Sequence, residues 1–344
     1  MKDLHHQLTS TGLNIAALGE NILVSEFGGR ILALAPDGKT NLLWINLATF
    51  KSGQIDKWRN GAEWPNLGGD RTWISPEVDT NLHRHEEFAA AGNAPDPKRF
   101  GAAYEVPRAI DPANYLLART EDGLRLSADM AVRWLRSGTK IDLQVERRIT
   151  LIAKPPRTVR PGIAFCGYTQ ASRLSSLTPL QSARPGLWQL LQVPGGGTIT
   201  AAAPPGIHPT AWIGNPAWTR TDTGISSELR TDASFKWSLR AAQCRGRLLN
   251  LRELDCDRAG LIVREFSVAA DAAYADCPPH APQDTGHACQ VYVDDGAFGG
   301  FGEMEFHSPA LFPGAPGSVA VTAHTWGFIG PSSEVRALHE EFSR

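Results

Sequence analysis

The sequence predicts an all-β protein built as a large sandwich of sheets. Short alternating apolar runs recur along the whole chain, turn residues separate nearly all of them, and only the tail shows helical periodicity. The 33 glycines and 24 prolines agree with a chain of many turns and few long helices. At 344 residues the chain exceeds an ordinary domain, yet large all-β units reach this size as one fold. One domain over 1–344 is therefore expected, with its ordered core over about 13–330.

Composition narrows the function classes. A hydrophobic content of 42% with 20% charged residues describes an ordinary globular chain that can bury a sizeable core. A net charge of −2 predicts no electrostatic attraction to nucleic acid or to an acidic membrane surface. Five scattered cysteines with no CxxC pair read as reduced thiols. The first residues carry no apolar signal-peptide core, so a cytoplasmic location is expected.

The elements follow in order. Asn21 to Phe27, Arg30 to Ala35 and Asn41 to Ile45 read as strands, separated by Gly28-Gly29 and by the turn Pro36-Asp37-Gly38. Residues 51–70 read as irregular. Gly68-Gly69 then precedes Asp70-Arg71-Thr72-Trp73 and Glu77, where two glycines permit a sharp bend and a close approach to a ligand, or simply a turn with a surface ion pair. Residues 78–112 read as a long loop of the kind that forms lids, and it holds His83 and His85. Tyr115 to Arg119, Leu124 to Leu135 and Lys140 to Ile152 read as a meander. The Pro/Arg-rich stretch 154–161 is the one compositional boundary, and no hinge is expected there. Beyond it, Ile163 to Thr169, Leu187 to Val193, Phe235 to Leu239, Leu248 to Leu251, Leu261 to Phe266 and Gln290 to Asp294 read as strands, and Ser332 to Phe342 as a helix.

The richest stretch is Phe301 to Phe328. In Phe301-Gly-Glu-Met-Glu-Phe-His307 strand alternation puts Glu303, Glu305 and His307 on one face and Met304 and Phe306 on the other. Same-face neighbours lie about 6–7 Å apart, a separation that brackets a small polar ligand. Ser308-Pro309 stops the strand, Pro313-Gly314 reads as a turn, and Ser318 to Phe328 as a second strand, giving a hairpin-like unit. A solvated charged strand face is the alternative reading.

Several islands resemble the galactose mutarotase (aldose 1-epimerase) superfamily. They are Gly302-Glu-Met-Glu305 followed by Pro313-Gly314 and Thr325-Trp-Gly-Phe328, together with Phe27-Gly-Gly-Arg-Ile31 and Asn41-Leu-Leu-Trp44. Gly68 to Glu77 and Leu187 to Val193 look more like an uncharacterised bacterial branch of it. The resemblance implies a β-supersandwich whose concave face binds sugar. It further implies anomer interconversion by general acid–base chemistry, with Glu305 where the family carries its catalytic glutamate. No Asn-x-x-His-Gly or Asn-His-x-Tyr segment is present, and Phe165-Cys-Gly-Tyr-Thr-Gln170 stands near the second with no histidine. The acid is therefore open among His83, His85, His208 and His307, with His307 beside Glu305 the first candidate.

The expected substrate contacts are Asp70, Arg71, Trp73, Glu77, Glu303, His83, His85 and His208, with Arg71 clamping sugar oxygens through its fork of donors. No metal and no cofactor are expected. Two other readings stay open: a non-catalytic sugar-binding domain, because the histidine motifs are missing, and a metal-assisted sugar lyase or hydrolase, because His83 and His85 sit two apart.

Overall fold

The computed structural model describes all residues except Ser52, Ala62, Thr231 and 314–316. Among the described residues the strands are, in chain order, β1 (Ile15–Leu18), β2 (Ile22–Ser25), β3 (Arg30–Leu34), β4 (Asp70–Ser75), β5 (Leu116–Arg119), β6 (Gly123–Arg133), β7 (Lys140–Leu151), β8 (Ala164–Ser176), β9 (Gly186–Pro194), β10 (Thr198–Ala202), β11 (Thr210–Ile213), β12 (Thr219–Arg220), β13 (Gly224–Glu228), β14 (Phe235–Arg240), β15 (Arg247–Glu253), β16 (Arg258–Phe266), β17 (His287–Val293), β18 (Phe301–His307) and β19 (Ser318–Pro331). They form two antiparallel sheets. The nine-stranded sheet runs β1-β2-β3-β4-β9-β18-β17-β14-β11, and the ten-stranded sheet runs β12-β13-β10-β15-β16-β19-β8-β7-β6-β5. Each sheet takes strands from both sides of residues 154–161.

The two sheets pack face to face, as strands with one apolar face must. Leu191, Val291, Met304 and Phe306 of the first sheet share one core with Leu126, Val145, Leu174 and Ile262 of the second. A polar layer crosses this core. Asp70 accepts the Tyr168 hydroxyl at 2.6 Å and pairs with Arg147 at 3.0 Å and Arg264 at 3.1 Å, while Gln189 accepts from Thr72 and Gln170. Buried charges survive only when paired in this way.

Short helices close the edges: α1 (Lys2–Thr9), α2 (Gln54–Asn60), α3 (Glu77–Thr80), α4 (His85–Ala91), α5 (Pro97–Gly101) and α6 (Ser332–Ser343). The expected helix at the tail is α6. Its Val335, Leu338 and Phe342 cover Leu261, Val263, Trp326 and Phe328 on the outer face of the ten-stranded sheet.

Five expectations need correction. The N-terminus, expected outside the ordered core, forms α1, and residues 51–70 contain α2. Residues 78–112 are not an open loop, because α3, α4 and α5 bury Val78, Phe88 and Phe100 against Trp212 and Cys277. Asn41 to Ile45 is not a strand and makes only a bridge from Ile45 to Gly68. The stretch Phe301 to Phe328 is not a hairpin either. β18 pairs with β17 and β9 in one sheet, while β19 pairs with β16 and β8 in the other, so the chain changes sheets between them. The Pro313-Gly314 turn lies outside the described residues.

Candidate functional site

The face of the nine-stranded sheet turned away from its partner carries a cavity of about 530 Å³. That is within the range for small-molecule sites. Strand parity decides which side chains reach it. Asp70 aligns with Leu191, which aligns with Met304, so that row points into the inter-sheet core. The next residues, Arg71 and Trp73, therefore point outward, beside Trp188 and Gln192 of β9 and Glu303, Glu305 and His307 of β18. Tyr292 of β17 and Lys236 of β14 continue the row that contains Glu303.

The bend that launches β4 needs its glycines. Gly68 and Gly69 have φ of +84° and +77°, and a side-chain carbon on them would lie 2.4 Å from the Trp44 carbonyl oxygen and 2.3 Å from that of Ile31. The close approach is to the protein's own backbone rather than to a ligand.

Aromatic side chains wall the cavity. Trp64, Trp73 and Trp188 line it together with Phe100, Tyr104, Tyr292, Phe298 and Phe301. Trp73 meets Trp188 and Trp64 edge to face at centroid distances of 5.3 and 5.7 Å. Trp64 is fixed from behind by its Nε1–H, which donates to Asp111 at 2.6 Å.

The floor is charged. Arg71 Nη2 donates to Glu303 at 2.7 Å, Gln192 donates to the same carboxylate at 2.8 Å, and the guanidinium lies 4.5 Å from the Trp73 ring. Among the described residues, Arg71 Nε and Nη1 have no partner although the residue is buried. The Lys236 ammonium sits between Glu77 at 3.0 Å and Glu305 at 3.2 Å, and 4.4 Å from the Trp188 ring. Behind it, Trp188 Nε1–H donates to Glu305 at 2.6 Å. Asp276, from the loop 271–288, accepts from the Glu77 backbone at 2.9 Å and from Gln290 at 2.9 Å.

Four buried carboxylates, Glu77, Asp276, Glu303 and Glu305, thus face two buried cations, Arg71 and Lys236. The surplus shows in their protonation. Burial pushes Glu305 up to about 8, with Glu303 and Glu77 adding to the rise and Lys236 opposing it. Burial and the neighbouring Glu77 raise Asp276 to about 7. Burial works against the charge on Lys236, but Glu305, Glu77 and Asp276 outweigh it and hold the ammonium above its ordinary value. The Tyr104 hydroxyl is kept protonated by burial and by the charges of Glu77 and Glu303.

The expected site residues separate into two sets. Arg71, Trp73, Glu77 and Glu303 meet at the cavity. Glu305 and His307 share their face, as alternation requires, but lie outside the lining, Glu305 under Lys236 and Trp188, and His307 stacked on Trp188 at 5.8 Å. Burial, then the charge of Lys236, holds His307 well below its ordinary pKa, so the imidazole is neutral rather than a charged acid. Asp70 is corrected outright, because it faces the inter-sheet core. His83, outside the lining, stands 3.2 Å from Glu105 at the cavity mouth, while His85 and His208 are elsewhere, beside Glu86 and Arg220. Among the described residues, no three His, Cys, Asp or Glu side chains converge as a metal ligand set.

Sequence reasoning missed Lys236, Asp276, Tyr104, Trp64 and Trp188 as site residues. Lys236 left a trace, since it is a lone charge at the second position of the apolar run Phe235 to Leu239. The others left none.

No protein-family model matches the chain, and no curated protein matches it. Among solved structures, the chain is similar to a galactose mutarotase related enzyme from Lactobacillus acidophilus, with 8% identity, a TM-score of 0.43 and coverage of 93% of this chain and 97% of that one. It is also similar to a candidate aldose 1-epimerase from Klebsiella pneumoniae, with 11% identity, a TM-score of 0.42 and coverage of 93% and 79%. Both belong by description to the group that the islands of the sequence resemble.

Proposed function

We propose that the cavity binds a sugar and that its floor performs general acid–base chemistry on the anomeric centre. The observation that carries this reading is the combination of a tryptophan-walled cavity with two salt-bridged carboxylates at its floor, one of them beside unfilled arginine donors. Aromatic faces take the apolar face of a pyranose, while Arg71 and Trp73 Nε1–H offer donors to its oxygens. Glu303 is the base, because it is the carboxylate of β18 that lines the cavity. It removes the proton of the anomeric hydroxyl. A proton goes to the ring oxygen from Lys236 or Tyr104, which both line the cavity and both hold protons at neutral pH. The ring opens, the new carbonyl rotates, and closure reverses the transfers. Glu305 is a positioning residue that acts through Lys236.

Anomer exchange measured by NMR on a panel of aldoses tests this. Glu303→Gln should slow exchange by at least about a hundredfold, the low end for one acid–base group. Sugar binding should persist. Glu305→Gln should cost less. A wild-type protein that binds no sugar refutes the proposal. One that binds but exchanges nothing supports a binding module instead, the reading favoured by a His307 that is buried and uncharged.

A further inference from the structure

We infer that the cavity selects a sugar bearing an amine and rejects phosphorylated and acidic sugars; this rests on the sugar-binding reading above. Its lining holds five carboxylates, Glu63, Glu77, Glu105, Asp295 and Glu303, against three cations, Arg71, Lys98 and Lys236. Arg71 and Lys236 are already engaged with Glu303 and Glu77 at 2.7 and 3.0 Å. An anionic ligand reaching the free Arg71 donors would lie beside the Glu303 carboxylate that this guanidinium already neutralises.

The imbalance is greatest at the mouth. Glu63, Glu105 and Asp295 are exposed there on three separate segments, against the exposed Lys98. Their other charged neighbours are weak counterweights: Lys57 lies 3.9 Å from Glu63, and His83 lies 3.2 Å from Glu105. Among the described residues, the Asp295 carboxylate accepts from the Ala297 amide at 3.1 Å and from no cation. The floor supplies no counterweight, because its two cations are already paired, Arg71 with Glu303 and Lys236 with Glu77 and Glu305.

A second, independent observation points to a ligand. Arg71 is only 2% exposed and lines the cavity, and among the described residues its Nε and Nη1 and the buried Trp73 Nε1–H meet no acceptor. These donors call for oxygens at the floor. A ligand with hydroxyl oxygens at one end and an ammonium at the other satisfies both ends, and an amino sugar has that form.

Titration calorimetry of the full chain with paired sugars tests the inference. The pairs are glucosamine against glucose and galactosamine against galactose, with N-acetylglucosamine, glucuronate and glucose 6-phosphate alongside. The amino sugars should bind about threefold to fivefold tighter than their neutral parents, as a solvent-exposed charge contact would give. N-acetylation should remove the advantage, and the two anions should bind more weakly than glucose. The double variant Glu105→Gln with Asp295→Asn, both exposed positions, should bring the ratio of amine to neutral affinity toward one. Equal affinity of amino and neutral sugars, or binding of either anion as tight as glucose, overturns the inference and leaves sugar binding standing. Binding of no sugar at all removes the sugar reading and this inference with it.

Discussion

Glu305 is a carboxyl group that folding protonates. Its pKa rises from an ordinary 4.5 to about 8, first through burial, so the folded state holds a proton that the unfolded state releases between those values. Its contribution to stability is complete below about 4.5 and is lost as pH rises through about 8. Asp276, raised from 3.8 to about 7, adds a slope of the same sign. His307 acts oppositely, since its depressed pKa removes stability as pH falls below its ordinary 6.5. The variant Glu305→Gln isolates the first effect. Its melting temperature relative to wild type should rise steadily from pH 5 to pH 9, and a flat difference would show that Glu305 is ionised throughout. Arg71 yields a second test. Arg71→Met strands Glu303 as a buried carboxylate, and breaking such a pair costs about 3–5 kcal/mol. Adding Glu303→Gln should recover a large part of that loss, which denaturant unfolding of the two variants measures through a double-mutant cycle.

The two faces of β18 were legible as a strand of period two, with Met304 and Phe306 inward and Glu303, Glu305 and His307 opposite. Which of the two glutamates meets the cavity was not legible. That is decided by Lys236 and Trp188, which cover Glu305 from strands far away in the chain, and no local pattern encodes such a cover. Asp70 was misplaced for a related reason: a charge followed by Arg71 reads as surface, whereas its partners Arg147, Arg264 and Tyr168 come from the other sheet. Helices of four to seven residues such as α3, α4 and α5 are too short for a helical period to show. The longer α6 did show one, and its anchor can be tested. Phe342 packs on Trp326 and Phe328 at 6.0 and 5.8 Å. Phe342→Ala should destabilise the protein by about 3–5 kcal/mol, read from denaturant unfolding, while the cavity proposed to bind sugar on the other sheet stays intact.

At the scale of the whole molecule the all-β class was legible because strands and turns alternate along the chain. The order of strands within each sheet was not, since pairing across long stretches leaves no local mark. β4, β9 and β18 lie side by side at the centre of their sheet, although they begin at residues 70, 186 and 301. These three strands bring Arg71, Trp188 and Glu303 to one cavity. That arrangement has a kinetic consequence. Each of these neighbours must close a loop of on the order of a hundred residues before any contact rewards it, and topologies of this kind fold slowly, in about milliseconds to seconds. The meander β5 to β8, built from adjacent segments, can pair first. A chain diluted out of denaturant should therefore recover much of its strand signal in circular dichroism before it recovers ligand binding, and added sugar should leave the early phase unchanged. The cavity is then a late product of folding, so a nascent or partly unfolded chain presents sheet before it presents the proposed binding site.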